Sequence, residues 1–127
     1  MMSVFAICLG ACVGALARWG LGLWLNPGAI IPLGTLAANL IGGYLVGVAV
    51  AGFHAMPHLA PAWRLLIVTG FLGALTTFSS FSAEVVGMLG QQRYLLGFGT
   101  AMAHLMGSLL LTVAGIKTVT FFIAKFN

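Results

Sequence analysis

The sequence predicts an all-α membrane protein of four transmembrane helices. Three observations carry this. The chain of 127 residues is 61% hydrophobic and only 5% charged, whereas a soluble domain is about 25% charged. Its apolar residues fall into four stretches of the roughly 20 residues that a bilayer requires. None of these stretches alternates with period two, as the strands of a membrane barrel do. Backbone polar groups in lipid must be satisfied within their own segment, so the stretches are helices.

The first span runs from about residue 4 to 25 and ends at Asn26-Pro27-Gly28. Its apolar start reads as the beginning of a span, not a cleaved leader, because no basic segment precedes it. The second covers about 33–53 without a charge, and a loop holding Pro57 and Pro61 follows. The third covers about 62–90, with Glu84 inside it. Gln91-Gln92-Arg93 makes a short polar turn before the fourth span, about 95–116 or beyond. Short loops make neighbouring helices antiparallel. Residues 1–127 therefore form a single transmembrane domain.

The net charge of +4 comes from scattered residues, Arg18, Arg64, Arg93, Lys117 and Lys125, and forms no basic stripe for nucleic acid. Cys8 and Cys12 share one helix face, a poor geometry for a disulfide, and read as small packing residues. Four spans put both ends of the chain on one side of the membrane. That side carries Arg64 and Lys125, plus Lys117 if it snorkels, against Arg18 and Arg93 on the other. The Lys/Arg excess that orients membrane proteins is almost absent. Insertion in both orientations and a single orientation set by other cues both remain open. Gly10/Gly14 and Gly43/Gly47 are GxxxG pairs of the kind that let helices approach closely, although 18 glycines make such pairs common by chance.

The third span contains the chemistry. Gly70-Phe71-Leu72-Gly73-Ala74-Leu75-Thr76-Thr77-Phe78-Ser79-Ser80-Phe81-Ser82-Ala83-Glu84 puts two threonines, three serines and a glutamate inside the bilayer. Polar residues at this depth face a bundle interior or an aqueous path. The glycines and threonines fit a helix break, which would expose backbone groups for ions. They also fit a continuous helix whose hydroxyls bond the preceding turn. Phe78 and Phe81 share a face, and aromatic rings have a positive edge. With Asn39, Ser79, Ser80, Ser82, Ser108 and Thr112 they supply donors. Glu84 is the sole acid in the chain. This inventory favours passage of an anion. Arg18 fits either an interfacial anchor or a vestibule charge that attracts anions. His54 and His58 read as loop polarity, and His104 as a helix–helix hydrogen bonder. The residues show no nucleophile–base pair and no metal constellation, which excludes an enzyme.

These motifs resemble those of the Fluc/CrcB fluoride channels over nearly the whole chain. The resemblance rests on Gly14 through Arg18-Trp19, on Pro32-Leu33-Gly34-Thr35-Leu36 with Asn39-Leu40, on the Gly70–Glu84 segment, and on His104 through Thr112. It implies a fluoride-selective channel of the bacterial inner membrane that exports fluoride passively and relieves its cytoplasmic toxicity. It implies an antiparallel, dual-topology homodimer with two pores and a third helix broken near its middle. A structural sodium ion would sit on the dimer axis, held by the backbone carbonyls of Gly73 and Thr76. The fluoride pathway would comprise Asn39, Phe78, Phe81, Ser79, Ser80, Ser82, Ser108 and Thr112, with Arg18 and Glu84 in the vestibule. Ala74 stands where some members have a second glycine, which leaves a carbonyl site unaffected. The rival reading, a small dual-topology multidrug exporter, needs a carboxylate in the first span, and that span has none.

Overall fold

Four long apolar helices organise the chain, and the third is interrupted. A computed structural model describes residues 1–126. Helix α1 spans Met2–Leu25 and α2 spans Leu33–Ala55. The third span, Pro61–Gly90, is composite. It opens with α3 (Pro61–Arg64), widens into a π-helical turn (Leu65–Leu72), and closes with α4 (Gly73–Leu75). Two extended residues, Thr76 and Thr77, separate it from α5 (Phe78–Gly90). Helix α6 occupies Tyr94–Phe126. The expected spans recur within a few residues, and the fourth does continue past residue 116.

Local chemistry sets the boundaries. Asn26 caps α1, and its Oδ1 also accepts the Gly34 amide at 2.8 Å, which ties the start of α2 to the end of α1. Gly28 supplies the positive φ, +73°, that the intervening turn needs. Pro61 begins α3 where a missing N–H costs nothing. Beyond α5, the amides of Gln92 and Arg93 fold back onto Leu89 and Met88 carbonyls, a helix-ending pattern that satisfies orphan acceptors.

The π-helical turn and α4 pack on α1, whereas α5 packs on α6 and α2 lies along α6. The interruption thus passes the third span from one neighbour to another. Both GxxxG pairs lie at tight crossings. A Cβ on Gly10 or Gly14 would strike backbone of Leu66 or Phe71, and one on Gly43 would stand 2.9 Å from the Ser108 carbonyl oxygen.

Burial is inverted relative to a soluble domain. Trp19, Trp24, Phe98 and Leu110 are exposed, while Thr77, Thr100 and His104 are buried, as are Ala38, Leu72 and Leu75. An apolar exterior of this extent belongs in lipid. Cys8 and Cys12 are free and exposed on α1.

Candidate functional site

The break in the third span arises because side chains capture backbone donors that a continuous helix would use. A helical Thr77 N–H would bond the Gly73 carbonyl. It donates instead to Asn39 Oδ1 at 2.7 Å, while Asn39 Nδ2 donates to the Thr77 carbonyl at 3.0 Å. A helical Ser80 N–H would bond the Thr76 carbonyl. It donates instead to Thr77 Oγ1 at 3.1 Å, an N-cap that starts α5. The carbonyls of Gly73 and Thr76 therefore lose their helical donors. The Ala74 carbonyl gains a different one, Arg18 Nε at 3.1 Å.

Arg18 is accordingly held at the break, with a positive charge beside the negative end of the first half-helix. Replacing Arg18 with leucine leaves the Ala74 carbonyl without its donor. The expected result is destabilisation of about 1–3 kcal/mol, read as a lower melting temperature in detergent; glutamine, which keeps an N–H, recovers part of it.

Asn39 is fully committed. Its second amide proton goes to His104 Nδ1 at 3.0 Å. An acceptor at Nδ1 puts the proton of a neutral imidazole on Nε2. His104 is only 4% exposed, and its ring lies 4.6 Å from that of Phe81. Phe81 in turn meets Phe78 edge to face at 5.4 Å. Phe78 is 79% exposed, so one ring of the pair projects from the chain.

These groups border an open cleft of about 780 Å³ between α2, the third span and α6. Asn39, Phe78, Phe81, Ser108 and Thr112 line it, together with Gly73 and Thr76. The hydroxyls of α6 bond backbone oxygens: Thr112 Oγ1 lies 2.9 Å from the carbonyls of Gly43 and Ser108, and Ser108 Oγ lies 3.5 Å from that of Asn39. The three serines of α5 take other places. Ser79 and Ser80 gather round Thr77 Oγ1, at 3.3 and 3.1 Å, and Ser82 is half-buried outside the cleft wall. Glu84 is also off the cleft. Its Oε1 accepts the Thr35 hydroxyl at 2.5 Å, and its Oε2 is buried without a partner, as are His104 Nε2 and Thr100 Oγ1.

Sequence reasoning left two residues out of the candidate site. Thr77 was legible as a cap, because Thr-Phe-Ser-Ser fits an N-cap before a helix. His104 was legible from its i,i+4 spacing to Ser108 and Thr112 on one helix face. His58 is exposed in the loop, whereas His54, expected there too, is exposed in the last turn of α2, because the helix runs on to Ala55 before Pro57 stops it. Among the described residues no three His, Cys, Asp or Glu side chains gather to hold a metal.

Fold and site together define a small multi-pass membrane protein built round a polar helix break. Residues 5–116 match the family model described as CrcB-like protein, Camphor Resistance (CrcB), and the chain belongs to this family. A fluoride-specific ion channel FluC of Albidiferax ferrireducens is 77% identical over 124 residues, which cover 98% of this chain and 95% of that protein. The FluC of Paracidovorax citrulli is 61% identical over 98% of this chain and 99% of its own length. That of Variovorax paradoxus is 65% identical over 94% and 95% respectively.

Proposed function

We infer that this chain is a fluoride-specific channel of the bacterial inner membrane, not an enzyme. The observation that carries the reading is the near-complete match to fluoride-specific channels. Four apolar spans and a polar break at mid-chain agree with it. Transport is passive and relieves the cytoplasm of fluoride.

The physical difficulty is dehydration. Moving even a carboxylate-sized ion into a medium of ε ≈ 4 has an idealised cost of about 20 kcal/mol, and smaller fluoride costs more. The path must therefore replace water donors in succession. Ser108 and Thr112 supply rotatable hydroxyls along one wall of the cleft, and Asn39, whose amide hydrogens are held by the Thr77 carbonyl and His104 Nδ1, offers one to the ion by exchanging one of those bonds. Phe78 and Phe81 supply the positive ring edges. Ser79, Ser80 and Ser82 stand off the cleft wall at the start of α5, and their hydroxyls would meet the ion only beyond the cleft. Arg18 and Glu84 tune the approaches. Narrow spacing selects against larger chloride.

The working unit is an antiparallel homodimer with two pores. The balanced lysine and arginine count supports insertion both ways. The cleft is open, and Phe78, which lines it, is 79% exposed in the single chain, where a second copy would cover it. The Gly73 and Thr76 carbonyls suit a hard cation such as sodium. They are oxygen donors freed from the helix, two per chain, and a second copy doubles the set. The Gly73 and Thr76 carbonyls would hold the ion, whose positive charge would offset the negative helix ends.

The test is efflux from liposomes that contain only the purified protein. Fluoride should leave rapidly while chloride is retained. Equal loss of both ions, or no fluoride loss with sodium on both sides, would sink the reading. A multidrug exporter gains no support, because α1 has no carboxylate.

A further inference from the structure

We propose that Asn39 is a positioning residue for the cation site: by capturing the Thr77 amide it keeps the Gly73 carbonyl free for a hard cation. The inference rests on the sodium reading given above and assigns that site a side chain 38 positions away in sequence.

The argument follows the two stolen donors. A carbonyl that accepts a backbone N–H along the helix has its lone pairs partly engaged and its dipole aligned with the helix axis. A cation ligand must be turned out of that ladder. At Gly73 the competing donor is Thr77 N–H, and Asn39 Oδ1 holds it at 2.7 Å. At Thr76 the competing donor is Ser80 N–H, and Thr77 Oγ1 holds it at 3.1 Å. The two captures are linked. Asn39 fixes Thr77 through both its amide and its carbonyl, and fixed Thr77 presents its hydroxyl to Ser80.

His104 completes the arrangement. The Asn39 carboxamide could be turned over, which would offer an NH₂ to the Thr77 amide. The Thr77 carbonyl, which needs a donor, opposes this, and in the orientation it fixes His104 Nδ1 accepts from Nδ2 at 3.0 Å. The same asparagine borders the cleft. One carboxamide therefore joins the wall of the anion path to the geometry of the cation site, and loss of Asn39 affects sodium affinity as well as flux.

The measurement is the sodium dependence of thermal unfolding of the purified dimer in detergent, at constant ionic strength with N-methylglucamine as replacement cation. Wild-type protein should gain stability with a saturating sodium midpoint. Asn39→Leu, which keeps the branched skeleton without the amide, should raise that midpoint about tenfold, the scale set by one backbone hydrogen bond competing for a ligand carbonyl. An unchanged midpoint accompanied by lost fluoride flux would confine Asn39 to the anion path and overturn the proposal. Should Asn39→Leu fail to assemble, the Thr77 pair reads the same geometry. Thr77→Val releases Ser80 N–H and should raise the midpoint, whereas Thr77→Ser keeps the hydroxyl and should leave it near wild type; equal midpoints for the pair overturn the proposal. Absence of any sodium-dependent stabilisation in the wild type would remove the sodium site itself, a result distinct from the others.

Discussion

Phe81→Ile should reduce fluoride flux about 100-fold or more while the protein still purifies as a folded membrane protein. Phe81 contacts both the buried His104 ring and the exposed Phe78 ring. Isoleucine fills a similar space against His104, yet it has no ring edge with positive hydrogens. An interaction with a fully charged partner is worth about 1.5–3 kcal/mol, and each 1.36 kcal/mol at the barrier is tenfold in rate. Phe78→Ile separates this role from packing. Phe78 is 79% exposed, so its replacement leaves the chain's own interior untouched, and flux should still collapse. Liposome efflux, with assembly checked by cross-linking, is the measurement. Wild-type flux from both variants would remove the aromatic role.

The second large effect is on folding. Gly47→Val should prevent recovery of folded protein. A Cβ at Gly47 would collide with the Thr112 carbonyl oxygen, and it would stand 3.0 Å from the Ile116 amide nitrogen. Both are helix backbone and cannot step aside as a side chain could. Helices α2 and α6 must separate, and the Thr112 hydroxyl then loses the Gly43 carbonyl. Overpacking typically costs about 1–3 kcal/mol, and overlap with backbone belongs at or above the upper end. Gly20→Ala is the control. Nothing stands within 4 Å of its Cβ, so its melting temperature in detergent should match or slightly exceed wild type.

The four spans were legible because length and hydropathy are local properties. Each stretch carries its own evidence, and the breakers between them are adjacent in sequence. The break was legible only as one of two possibilities. Thr76 and Thr77 could have bonded back to a continuous helix, and Thr76 does so, with its Oγ1 2.9 Å from the Leu72 carbonyl. What decides the matter is Asn39, which no local pattern connects to Thr77. Arg18 shows the same limit. Its partner, the Ala74 carbonyl, lies 56 residues away and is a backbone atom without a sequence signature. The serines show how little residue type says about helical phase. Their type suggested a continuous polar track, but helical phase puts Ser79 and Ser80 beside Thr77 and leaves the cleft wall to residues of α2, the third span and α6. The GxxxG pairs could be found in sequence, though only the fold shows which backbone each one meets.

Helix α6, with 33 residues, is about 50 Å long at 1.5 Å per residue. The hydrocarbon layer is about 30 Å thick. Burying the whole helix would need a tilt beyond the roughly 40° limit seen for membrane helices. One end or both must therefore leave the hydrocarbon, and the C-terminal turns carry Phe121, Phe122 and Lys125 in exposed positions. Where the C-terminal turns emerge, they sit among headgroups as a wedge. One wedge crowds a single leaflet and favours curvature. In the antiparallel dimer proposed above, two opposed copies would deliver one wedge to each leaflet, and the lateral pressures would balance.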